Sequence, residues 1–256
     1  ASIKAEGFAP VRMNQLLKLA EFENLSDGDM VHAQRAAMVD PYAPNPSVEA
    51  ILHALIPYQY VDHTHADAVV ALTNTPNGKS AIRSIYGDRI LIIPYVMPGF
   101  ILAKTVRNLS KNIDWSRLDG MVLMHHGIFT FADDAKKSYD NMIDLVPLAE
   151  KKLNHSPSVS SQRGILSPLE LATVRGEVCK ALGSPLFAQF NGEPNVYKFC
   201  KNSRVNEIST RGPLTPDHVI RTKRIPVIIQ ESIELSIQHY EEAYRLYFKN
   251  HATENL

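Results

Sequence analysis

The stretch YVDHTHADAVV, Tyr60 to Val70, sets two imidazoles two residues apart. On a β-strand that spacing puts His63 and His65 on one face. Histidine is the commonest side-chain ligand of zinc-type metals, and two ligands need a third. The apolar segment DGMVLMHHGIFTFADD supplies His125 and His126. Read as one strand, it points adjacent side chains to opposite faces, so one of the two can join the pair. Gly127 beside them permits a bend or a close backbone approach. Three imidazoles would leave a fourth position open for water or substrate, the pattern of a catalytic zinc site. A structural zinc would want four protein ligands.

Proton transfer needs a further group. Glu49 precedes the histidine strand, in PSVEAILHALI. There Ser47 is a good N-cap, and the apolar spacing predicts a helix that carries Glu49 in its first turn. The helix dipole alone favours an acid at such a place. A general acid/base beside a metal is the functional reading. The same helix start, with the Ser47 hydroxyl, could hold a phosphate or carboxylate.

The elements that must position these residues alternate between helix and strand. Helices are expected near RMNQLLKLAEF, ADAVVALTN, FILAKTVRNL and DDAKKSYDNMIDLVPLAEKKL, the last interrupted near Pro147. RILIIPYV reads as a buried strand, PLFAQF and IPVIIQ as two more. TPNGKS reads as a turn on Asn77-Gly78. It is not a phosphate-binding P-loop, because the first required glycine would fall on Thr73. NHSPSVSSQRG reads as a linker. After it, Ser167, Pro168 and Glu170 predict a capped helix start, with Gly183 as the stop. A C-terminal helix follows in ESIELSIQHYEEAYRLYFKNH. This alternation places the chain in the α/β or α+β class.

The 256 residues are 45% hydrophobic, enough for a substantial core. Lys and Arg (27) balance Asp and Glu (27), so no basic excess marks a nucleic-acid partner. The most apolar window, ILIIPYVMPGFILA, is short and carries two prolines, which argues against a membrane span. The only cysteines, Cys179 and Cys200, form no CxxC and no disulfide framework. With no signal peptide in view, a reducing cytoplasm is the expected compartment. The chain opens ASIKAEGFAP without a methionine, consistent with processing or with a fragment.

PSVEAILH, VDHTHADAV, IIPYVMPGF and LMHHGIF occur in this order. Together they resemble the class II aldolase/adducin domain family, over roughly Ala1 to Leu153. STRGPLTPDHVIRTK further resembles the aldolase half of bifunctional proteins that join a rhamnulose-1-phosphate aldolase-like domain to a short-chain dehydrogenase. The resemblance implies a three-layer α/β/α sandwich around a mainly antiparallel mixed sheet. It implies a core over 1–155 that lacks the family's N-terminal part, and a C-terminal extension over 156–256 packing on the same domain. It assigns Zn2+ or another divalent metal to His63, His65 and His126, with His125 as the off-face neighbour, and the catalytic acid/base to Glu49.

A phosphate-holding serine of the family falls on Ser47, while the adjacent family serine is Val48 here. The family's Gly-rich phosphate loop would lie before the first residue. The implied reaction is cleavage of a ketose 1-phosphate, such as rhamnulose or fuculose 1-phosphate, to dihydroxyacetone phosphate and an aldehyde. The alternatives are a sugar-phosphate 4-epimerase or decarboxylase on the same metal, or an adducin-like interaction module. The resemblance also implies homotetramers, a small sugar-phosphate substrate, and a dehydrogenase domain in a longer parent chain. The basic stretch TPDHVIRTKR is expected to fold over a metal site, with His218 near the metal and Arg221 or Lys223 meeting the substrate's anionic end.

Overall fold

A computed structural model describes residues 4–153 and 162–252. The chain divides into two compact units. One comprises 1–154 with 214–217, the other 155–213 with 218–256.

In the first unit, α1 (Met13–Leu19) and α2 (Asp27–Ala36) precede α3 (Ala50–Leu55). Then come β1 (Tyr60–Thr64), α4 (Asp67–Thr73), α5 (Gly78–Tyr86), β2 (Ile90–Ile93) and α6 (Phe100–Ser110). The unit is completed by β3 (Gly120–Leu123), β4 (Gly127–Ala132) and α7 (Ala135–Leu153). The sheet has four strands in the order β1-β4-β3-β2. β4 runs antiparallel to both of its neighbours, and β2 and β3 are parallel.

Strand alternation builds the layers. Val122 and Ile128 point to one face, where they pack with Val69 and Leu72 of α4, Ile82 and Tyr86 of α5, and Met142 and Leu145 of α7. Met121, Leu123, Phe129 and Phe131 point to the other, against Leu52 of α3 and Leu102 and Val106 of α6. α1 and α2 add a further cluster on that side through Leu16, Met30, Ile51 and Phe100. The result is the three-layer α/β/α arrangement with a mainly antiparallel mixed sheet.

Several local expectations need correction. DGMVLMHHGIFTFADD is a hairpin of β3 and β4, not one strand, because its central residues turn at Met124–His125. α3 starts at Ala50, later than Ser47 predicts, with Glu49 at its N-cap position. α7 continues through Pro147. Proline removes the N–H that would bond the Ile143 carbonyl; Ile143 lies on the exposed side of the helix, where water can take that role. α2 and α5 were not anticipated. α5 begins at the Asn77-Gly78 pair that reads as a turn.

In the second unit, α8 (Pro168–Leu182) has the expected capping box. The Ser167 side chain accepts the Glu170 N–H, and the Glu170 side chain accepts that of Ser167. The short helices α9 (Pro194–Cys200) and α10 (Val205–Ser209) follow. α11 (Pro216–Arg221) straddles the division between the units, and α12 (Ile233–His251) packs on α8. PLFAQF and IPVIIQ are not strands but irregular chain; among the described residues no strand pairs with them. The linker reading over 154–161 lies outside the described residues. Among the described residues, no helix is long and apolar enough to cross a membrane.

Close strand packing makes Gly120 intolerant of a side chain. A Cβ there would stand 2.4 Å from the Phe129 carbonyl oxygen on the paired strand. Gly120→Ala should therefore destabilise the first unit by about 1–3 kcal/mol, the usual range for overpacking. A lowered urea midpoint with unchanged slope would report it.

Candidate metal centre

His63 lies on β1 opposite Phe129 of β4, and its ring stacks on that phenyl with centroids 3.9 Å apart. It therefore stands on the sheet face that α3 covers. Glu49, at the start of α3, reaches the same place. Glu49 Oε2 is 3.5 Å from His63 Nε2, and Oε1 is 3.0 Å from His126 Nε2. The second contact lacks hydrogen-bond alignment, so Oε1 is buried with a charge partner but no hydrogen bond.

His65 follows β1 directly, before the chain enters α4. His63 Nε2 and His65 Nε2 face each other at 3.0 Å. His126 is 3% exposed and closes the group from the β3–β4 turn, its ring centroid 5.3 Å from that of His63 and 5.0 Å from that of His65. Glu49, His63, His65 and His126 each offer a ligand atom, and these atoms all lie within 4.8 Å of one another.

The turn carrying His126 is held in place from several sides. Its first bond runs from the His126 N–H to the Leu123 carbonyl at 3.2 Å, and Met124 N–H donates to Ile93. This puts His125 at the turn position that requires positive φ, usually taken by glycine or asparagine, and its φ is 59°. The His125 N–H donates to the Thr73 hydroxyl at 3.1 Å. Its ring contacts Asn74 and packs edge-on against Tyr95. His125 thus fixes the turn, while His126 faces the site. Gly127 is needed for close approach: a Cβ there would lie 2.5 Å from the Thr64 carbonyl oxygen and 2.9 Å from the His63 ring.

The outer nitrogens decide the tautomers. His63 Nδ1 is 3.0 Å from the Ile128 carbonyl, which can only accept, so Nδ1 carries the proton and donates it. His65 Nδ1 is 2.7 Å from Asp217 Oδ2 and donates to that carboxylate. In the neutral rings both Nε2 atoms are then bare, and two lone pairs face each other at 3.0 Å. That is repulsive unless a cation lies between them. Two bare imidazole nitrogens, a third imidazole and a carboxylate form a donor set suited to a divalent transition metal. The residues present fit such an ion.

Burial holds the His63 imidazole down to about 4, against the opposing pull of Glu49. Burial likewise lowers His53, one turn after Glu49. For Glu49, burial pushes the carboxyl up, but contact with His126 and the charges of His63, His126 and His53 outweigh it. The carboxyl is held below its ordinary value. A neutral His63 beside an ionised Glu49 is the combination of protonation states that metal binding needs.

Sequence analysis reads three imidazoles with an open fourth position; in the structure the Glu49 carboxylate also lies beside these histidines. The remaining residues named from sequence are not among these four. Ser47 is exposed, and its hydroxyl accepts the Glu49 N–H at 3.2 Å. α3 is only six residues long, too short to supply a helix-terminal anion site. His218 and Arg221 lie on α11. Lys223 extends its ammonium over the Tyr244 ring, 4.0 Å from the centroid.

Sequence reasoning missed Phe129 as the platform of His63, Thr73 as the anchor of the turn, and Asp217. The stretch containing Asp217 had been singled out, but for its basic residues and His218. Its separation of 152 residues from His65 gives no local signal.

Residues 18–153 match the family described as Class II Aldolase and Adducin N-terminal domain, and residues 167–256 match Aldolase class II, second domain. A solved structure of the N-terminal class II aldolase domain of a conserved protein from Thermoplasma acidophilum is 40% identical. It covers 60% of this chain and 70% of its own, with a TM-score of 0.55. An aldolase II superfamily protein from Pseudomonas syringae is 14% identical over 84% of this chain and 68% of its own. Its TM-score of 0.37 is too low to carry an argument. The uncharacterized oxidoreductase YuxG of Bacillus subtilis is 26% identical over 97% of this chain, which spans only 39% of that relative's length.

Two outcomes are expected. Between pH 6.5 and 4 the unfolded chain takes up a proton at His63 that the folded, metal-free protein resists. Stability should therefore fall by up to about 3 kcal/mol as pH drops through that window. The paired Glu49 carboxylate adds to the loss at still lower pH. Melting temperatures of the metal-free protein should show this decline, and His63→Gln should flatten it. Gly127→Ala should push His63 and His65 off their convergence, weakening zinc binding in a chelator competition more than it lowers the melting temperature.

Proposed function

The chain belongs to the class II aldolase/adducin family, and we propose that it is a metal-dependent aldolase. Its substrate is a ketose 1-phosphate of the rhamnulose or fuculose type, cleaved to dihydroxyacetone phosphate and an aldehyde. One observation carries this reading: Glu49, His63, His65 and His126 converge on one point, with two bare imidazole nitrogens aimed at each other. An interaction module would need none of these four side chains.

His63, His65 and His126 would hold the ion, zinc or another divalent metal. Bound there, it supplies a positive charge opposite the negative charge that builds on the substrate's oxygens. His63 is neutral at physiological pH, so it adds no repulsion to that charge. Glu49 is the proton carrier. It is ionised at neutral pH, and its burial keeps water from competing for the proton. In the condensation direction the Glu49 carboxylate takes a proton from the carbon beside the ketone; in the cleavage direction the resulting acid returns it.

His218 is assigned to the neighbourhood of the metal and Arg221 or Lys223 to the anionic end of the substrate, with Ser47 as a further contact to it. Lys223 would have to leave the Tyr244 ring to take part. The oxidoreductase function in the name of the Bacillus subtilis relative is assigned to the part of that protein beyond this chain's match. A dehydrogenase domain in a longer parent is the corresponding proposal here, with homotetramers as the assembly.

Metal-loaded protein should release dihydroxyacetone phosphate from rhamnulose or fuculose 1-phosphate in a coupled assay. Epimerised or decarboxylated products instead would replace the aldolase assignment. Glu49→Gln should keep its metal while kcat falls by about 10²–10⁴-fold; undiminished turnover would give the proton to another residue. His126→Ala should lose metal affinity and activity together.

A further inference from the structure

Asp217 lies in the segment 214–217, which groups with the first unit although it follows that unit's last helix by some sixty residues of chain. Thr215 in this segment is 3% exposed. Two residues on, the Asp217 carboxylate accepts the His65 Nδ1–H at 2.7 Å. We infer that Asp217 is a positioning residue, brought by this strap to fix the tautomer and ring orientation of His65.

The reason lies in where His65 sits. His63 is on a strand, stacked on Phe129, and its outer nitrogen is bonded to the backbone of the paired strand. Sheet geometry alone holds that ring. His126 is buried in a turn tied down by Leu123 and, through His125, by Thr73. His65 has neither support. It follows the last residue of β1, its side chain is 20% exposed, and no backbone carbonyl receives its outer nitrogen among the bonds described. A free imidazole in water distributes its proton between both nitrogens. A proton on Nε2 would point at the bare Nε2 of His63 and block the site. A carboxylate on Nδ1 removes that state and makes the ring a stronger donor at Nε2.

The strap therefore ties a residue of the second family segment to the site of the first. This inference rests on the proposed metal centre for its consequence, but not for its geometry. The two can fail separately.

Two readouts test it, on the same chain and its Asp217→Ala and Asp217→Asn variants. The first needs no metal. Long-range proton–nitrogen spectra of the metal-free protein, with His65 assigned by its own substitution, report the tautomer. The wild type should hold the proton on Nδ1. Asp217→Ala should shift it largely to Nε2, and Asp217→Asn, which can still accept through its side-chain oxygen, should keep it on Nδ1. An unchanged tautomer in Asp217→Ala overturns the inference.

The second readout is zinc affinity by chelator competition. Asp217→Ala should weaken it by roughly 10–100-fold, the range typical of lost outer-shell partners. Asp217→Asn should fall between Ala and the wild type. Unchanged affinity in Asp217→Ala would also overturn the inference. Wild-type protein that binds no zinc, with the tautomer shift intact, would overturn the metal reading and leave the Asp217–His65 assignment standing.

Discussion

Two unprotonated imidazole nitrogens pointing at each other across 3.0 Å are the constraint on which the rest of the first unit depends. Left alone they repel. The chain nevertheless holds them there, because each ring's other nitrogen has a partner that takes a proton. One partner is a sheet carbonyl, the other a carboxylate from far along the chain. A protein spends binding groups in this way when the gap between the nitrogens is where a cation belongs.

The sheet is built to deliver that geometry. β1 and β4 pair so that His63 falls opposite Phe129, on the face that α3 covers. This is why Glu49, at the start of α3, meets a histidine from a strand. The β3–β4 hairpin turns immediately before Gly127, so His126 projects from a tight turn into the same space. A helix-sized tolerance would not suffice here. Each donor is set by a backbone feature: a strand register, a left-handed turn residue, or a glycine that admits close approach. Burial then sets the charges. It keeps His63 neutral, while contact with His126 holds the Glu49 carboxyl down against its own burial.

The second unit is organised differently. α8 buries none of its side chains, and α12 presents tyrosines that receive Lys223 and Arg224 in cation–π contacts. The basic stretch that stood out in a chain of zero net charge is thus partly accounted for by its own unit. Two of its three Lys and Arg side chains, Lys223 and Arg224, stand over tyrosine rings.

The sequence by itself determined the donor types and their grouping. HTH and HHG set His63, His65 and one of His125 and His126 apart as imidazole donors by residue type and spacing, and the resemblance carried by PSVE, HTH and HHG assigned His126 and Glu49. It also determined the capping box at Ser167, which is a contact between residues three apart. It misjudged PLFAQF and IPVIIQ, whose apolar runs suit a strand but pair with none among the described residues. It read β3 and β4 as one strand, since apolar periodicity continues through a turn whose key residue is a histidine rather than a glycine. Tertiary structure alone decided that Glu49 stands within 3.5 Å of His63 and 3.0 Å of His126 and that Thr73 anchors the turn. It alone decided that Asp217 meets His65. The Thr73–His125 and Asp217–His65 contacts join residues 52 and 152 positions apart, and such pairs are fixed by how helices and strands pack, which no local pattern of residues records.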